Sequence, residues 1–238
     1  MNYNYCLAMT SESRHSPLQN FLIIGIFLCL FVAGYSLLRY PAILIPLRSG
    51  ILFVSIFGLT LLSYSFITWR LSFNSETEAA WIARTSLGWG ILISFFWFVE
   101  IVIGNLSNTR KTTFQVLYFG ASGVALILPI IAGAWGANHS GKLRTGRLVG
   151  LYSGMVSGLL TFLILMVITY LFLNSFLQDT QNIIQFHESG IVDLTAFVIG
   201  DSLAGALGHL VIGLVLGTLL GAIGGAIGKV FSNGPRNE

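Results

Sequence analysis

Between Asn20 and Leu38 the chain runs for nineteen residues without an aspartate, glutamate, lysine, arginine or histidine. Five further stretches are almost as apolar, at 51–68, 87–104, 114–136, 148–173 and 207–230. A helix needs roughly 20 mostly apolar residues to cross a hydrocarbon core, because each residue advances it by about 1.5 Å. A helix also satisfies its own backbone donors and acceptors, which lipid cannot do. The pattern predicts an all-α fold: a polytopic transmembrane bundle with six spanning helices. Composition supports no soluble alternative. Only 9% of the residues are charged, against about 25% in soluble domains.

The six stretches divide the chain simply. A cytoplasmic tail is expected over 1–19, the membrane domain over 20–231 and a second cytoplasmic tail over 232–238. With the N-terminus inside, Arg14, Arg70, Arg84, Lys142, Arg144, Arg147, Lys229 and Arg236 fall on the inner side. Arg39, Arg48, Arg110 and Lys111 fall outside, a bias of eight to four that favours N-in, C-in. No targeting signal for an organelle is evident, so a bacterial inner membrane is the expected location. Pro41 and Pro46 bracket a tight external connection. Ser75 and Glu78 match a capping box, which would start the third helix before it enters lipid. Pro129 falls inside the fourth helix and should kink it. The 174–194 connection is polar enough for a short interfacial helix and loop.

Glycine is placed with unusual regularity. One ladder runs Gly146, Gly150, Gly154, Gly158, and another Gly213, Gly217, Gly221, Gly225. Glycine is among the weakest helix formers, so a strict four-residue repeat needs a packing reason. In lipid, small residues at that spacing let two backbones approach closely. Each ladder covers about 18 Å of rise. Since the fifth and sixth spanning helices are antiparallel, the ladders lie at matching depth and are expected to face each other. The rival arrangement is a seam between two copies of the chain. Both ladders resemble glycine zippers, a packing device that carries no information about substrate.

Few polar residues remain to carry chemistry. Glu100 stands about 7 Å of helical rise before Asn105, within the outer leaflet. Its bland reading is a carboxylate paired with Arg39, Arg48, Arg110 or Lys111, or one reaching outward to water. Asp201 and His209 precede the second ladder on the same four-residue step, about 12 Å apart. They form no tight pair, but both could line an outer vestibule with Glu100. An unbroken helix over 195–231 would measure about 55 Å, longer than a hydrocarbon core of about 30 Å. A bend at Gly205 or Gly208 is therefore expected, with Asp201 near the interface. Asp179, His187, Glu188 and Asp193 are read as solvated loop residues.

The sequence has no metalloprotease H-E-x-x-H, no Cys-x-x-Cys and no G-x-S-x-G, and every glycine cluster sits in an apolar helix rather than a phosphate loop. No metal site is assigned, and one histidine does not define a pigment or metal ligand. No cofactor is specified. Without a run of basic residues, the net charge of +3 points to no nucleic acid. The leading expectation is a non-enzymatic accessory or assembly subunit, partnered by lipid and by another membrane protein or a second copy. The alternative is a small permease or channel-like protein built on the Glu100, Asp201 and His209 vestibule.

Overall fold

The structure, a computed structural model, describes residues 17–44, 47–70, 76–106 and 112–232. Helices α1 (Pro17–Arg39), α2 (Leu47–Trp69), α3 (Glu76–Leu106), α4 (Thr112–Ser140) and α5 (Leu143–Leu171) follow one another. Two short helices, α6 (Leu173–Leu177) and α7 (Thr180–Ser189), then lead to α8 (Leu194–Ser232). Among the described residues, α1 to α5 and α8 are the six helices long and apolar enough to cross a membrane. Bulky side chains such as Phe31, Leu38, Leu59 and Phe119 point outward from them. The chain is an all-α polytopic membrane bundle.

Local signals explain most element ends. A turn of 3-10 helix over Pro41–Leu44 joins α1 to α2; Pro46 lies outside the described residues, as does Ser75 of the proposed capping box. Helix α4 stays helical through Pro129. The polar connection holds two short helices rather than one. Asp179 caps α7 by accepting a hydrogen bond from the Gln181 amide at 2.9 Å, and Asp193 does the same for Thr195 at 2.8 Å at the start of α8. Gly190 ends α7 at φ 72°, in the left-handed region.

Helix α5 is the hub. Buried residues make up 67% of its most apolar stretch, against 28–33% in the other spanning helices. Its deepest contacts are with α8, and they follow a strict order. Gly146 meets Gly225, Gly150 meets Gly221, Gly154 meets Gly217, and Gly158 meets Gly213. Stepping four residues up one helix moves four down the other, so the pair is antiparallel. A Cβ on Gly154 would sit 2.7 Å from Gly217 Cα, and one on Gly146 would sit 2.8 Å from Gly225 Cα. Non-bonded carbons are best separated by about 3.5–4.0 Å. Only the absence of a Cβ permits this approach.

Helix α4 enters the same node, which the four-residue repeat does not reveal. A Cβ on Gly136 would lie 3.1 Å from Gly146 Cα, and Gly133 lies against Gly221. Gly224 and Gly228 form a second stripe on α8 against the backbone of Ile130 and Ala134. The seam is thus a three-helix junction, with the α8 glycines engaged inside the chain.

Helix α8 runs as one helix over 39 residues, about 58 Å, and is unbroken at Gly205 and Gly208, where a bend is expected. Packing along its first half holds it. Ala196, Ile199, Leu203, Ala206 and Leu210 are buried at alternating three- and four-residue steps. Phe186 of α7 rests on Phe197 with ring centroids 6.0 Å apart. Helix α8 therefore changes its packing midway, from side chains to bare backbone.

Helix α2 is pinned at the point of change. Tyr64 is fully buried and its hydroxyl donates to the Leu210 carbonyl at 2.9 Å. Gly158 makes the room, since a Cβ there would lie 2.6 Å from the Tyr64 oxygen. At the opposite end, Lys142 Nζ pairs with Glu78 Oε1 at 3.6 Å, and Thr145 donates to the same oxygen at 3.2 Å. Trp81 stacks on His139 there at 4.3 Å.

Overpacking at the seam should cost about 1–3 kcal/mol or more. Gly154→Leu and Gly217→Leu should each lower the thermal unfolding midpoint in detergent. Gly58→Leu, placed where no atom lies within 4 Å, should not. Tyr64→Phe should lose about 0.5–1.5 kcal/mol by the same measurement, the worth of one buried hydrogen bond.

Candidate functional site

The polar residues collect where α3 ends and α8 begins. The last turns of α3 supply Glu100 and Asn105, and the first half of α8 supplies Asp201, Ser202 and His209. Asp201 and His209 stand two four-residue steps apart, with Gly205 midway. That glycine also lines the cavity, and its missing side chain leaves the space along α8 continuous. From above, Asn182 of α7 and Phe176 of α6 complete the wall. The cavity volume is about 180 Å³, well above the roughly 10–15 Å³ that admits one water. Glu100, Asp201 and His209 thus share one cavity without forming a tight cluster. Among the described residues, no group of three or more histidine, cysteine, aspartate or glutamate side chains is placed to hold a metal ion.

Each polar side chain has a local reason for its position. The His209 Nδ1 lies 2.9 Å from the Gly205 carbonyl. A carbonyl only accepts, so Nδ1 carries the hydrogen, and a neutral imidazole of that tautomer has its lone pair on Nε2. Trp97 of α3 meets the imidazole edge-on at 4.9 Å. Asn105 donates to the Ile101 carbonyl at 2.9 Å, and its side-chain oxygen is an acceptor. Asn182 donates to the Phe176 carbonyl at 2.9 Å and ties α7 to the turn before it.

Glu100 lies beside the phenol of Tyr118 on α4, and among the described residues no lysine or arginine forms an ion pair with it. Arg39 instead lies over the Tyr40 ring at 5.9 Å. The side chains of Arg48, Arg110 and Lys111 lie outside the described set. Gly104 makes room for Tyr118, since a Cβ there would be 3.0 Å from the ring. Sequence reasoning missed Tyr118, Trp97 and Asn182. The one available signal was Gly104, a small residue one turn after Glu100.

The remaining candidates separate cleanly. His187 and Glu188 are exposed on α7, whereas Asp179 and Asp193 act as caps. The eight ladder glycines belong to the packing seam. Ser153, one of two serines among them, donates to its own helix at Val149.

Comparison with known proteins finds no matching family model, no matching curated sequence and no matching solved structure. Fold and site together define the class: a multi-pass helical membrane protein with a polar cavity near one end of its bundle.

Asn182→Ala should release α7 without touching the seam. Amide hydrogen exchange over 180–189 should quicken, while exchange at 146–158 and 213–225 stays slow.

Proposed function

We propose that this chain is a small, non-enzymatic permease-type protein whose vestibule receives a small cation. One observation carries the reading: in a bundle with few charges, Glu100, Asp201 and His209 from two helices line a single cavity of about 180 Å³. Ionisable groups at membrane depth are costly and gather where solutes or protons pass. Two carboxylates, a histidine lone pair and amide oxygens favour a cation over an anion. In this reading the chain lies N-in and C-in in a bacterial inner membrane, and the vestibule faces outward. The α5–α8 seam acts as a glycine zipper. It closes the inner half of the bundle, and its lack of interlocking side chains lets the two helices shift past one another.

A separate feature favours the accessory-subunit reading. An apolar groove of about 650 Å³ runs between α2 and α8, lined by Leu62, Phe66, Leu214 and Leu219. It would suit a helix of a membrane partner or of a second copy.

Flux decides between them. The purified chain is reconstituted in liposomes under sodium, potassium or methylammonium gradients. Flux of at least one ion should exceed that of protein-free vesicles. Glu100→Gln and Asp201→Asn should each reduce it roughly tenfold or more, as expected for losing a charged hydrogen-bond partner. Absence of flux for all three ions, or flux indifferent to both substitutions, would overturn the permease reading.

A further inference from the structure

A second cavity adjoins the vestibule and shares two of its residues. It measures about 410 Å³ and lies between the end of α3 and the start of α4. Glu100 and Asn105 line both cavities, while Gly104, Gln115, Tyr118 and Phe119 belong to the second alone. Glu100 therefore stands in the wall between them.

The chemistry of this cavity has one sign. Among the described residues that line it, Glu100 is the one carboxylate, and no lysine, arginine or histidine is among them. The Asn105 amide donates to the Ile101 carbonyl, and its oxygen is an acceptor. The Tyr118 phenol lines the cavity beside Glu100. Its ring covers Gly104, which has no side chain to hold it away. A carboxylate beside an aromatic ring and amide oxygens is the recognition chemistry of an ammonium group. The surroundings are apolar and outward-facing. Val116, Leu117 and Phe119 on the same stretch of α4 are 67%, 51% and 70% exposed, as lipid-facing residues are. An ammonium bound here would keep its hydrocarbon tail in the bilayer.

We propose that the α3–α4 cavity is a lateral site for the ammonium group of an amphiphile, either a lipid headgroup or a free alkylamine. It rests on the permease reading only through Glu100, which would pass the charge between the two cavities.

The full-length chain, purified in detergent, is tested with two probes. Native mass spectrometry compares retention of phosphatidylethanolamine with phosphatidylglycerol of the same acyl chains. Equilibrium binding is measured for radiolabelled dodecylammonium. Gly104→Leu fills the cavity from α3, and Gln115→Leu narrows it from α4 should the first variant fold poorly. Glu100→Gln removes the charge. Each should weaken ammonium binding roughly tenfold, and Tyr118→Leu should do likewise.

Retention of phosphatidylethanolamine that dodecylammonium does not displace assigns the site to the headgroup. Dodecylammonium binding alone assigns it to the free amine. Binding of neither probe, or binding insensitive to Gly104→Leu, Gln115→Leu and Glu100→Gln, overturns the proposal. So does ammonium binding that appears only when Arg110 and Lys111 are both changed to alanine, because those side chains would then be the natural occupants. Asp201→Asn touches only the vestibule. If ion flux fails while Gly104→Leu still abolishes ammonium binding, the permease reading falls and the lateral site stands.

Discussion

In lipid, two helices gain little by hiding leucine from solvent, so α5 and α8 must draw their attraction from close approach. Eight glycines permit it. Dispersion grows as the backbones near each other, and Cα–H groups come within reach of opposing carbonyls. Much of the bundle is arranged around that contact. Gly133 and Gly136 bring α4 to the same line, Gly90 lets α3 lie close to Val156 of α5, and Gly25 seats α1 on Leu159. Helix α5 is buried nearly all round because each of its neighbours leans on it.

The seam also determines where polar chemistry is available. Along the glycine half of α8 the contact with α5 leaves no room for a side chain. Its other half buries Leu203, Leu207 and Leu210 instead. The polar cavity lies on that half, beside Gly205 and under α7. Asp201 and His209 lie on that half, and α3 ends at the same level with Glu100. The vestibule is thus a by-product of the change in packing along one helix.

Six hydrophobic runs made the spanning helices legible in the sequence, and the matched ladders made the pairing of α5 with α8 legible too. Other features had no one-dimensional trace. Gly133 and Gly136 are spaced by three, not four, so α4 left no ladder to read. The continuity of α8 depends on partners such as Ile43, from a distant part of the chain, and Phe186 of the preceding helix. Tyr118 meets Glu100 because of the rotation of α4, which hydropathy cannot give when the helix is apolar on every side. The vestibule trio was visible as costly charges, whereas Asn182 was one polar residue among several in a polar loop.

Electrical insulation follows from the glycine junction. A hydrated ion crosses a bundle only where polar groups or water line a path. Here three backbones touch with no side chain to swing aside, and Ser153 is turned back onto its own helix. Nothing along that line offers a stepping stone to a hydrated charge. A polar mouth at one end of the bundle can then coexist with a leak-tight barrier below it.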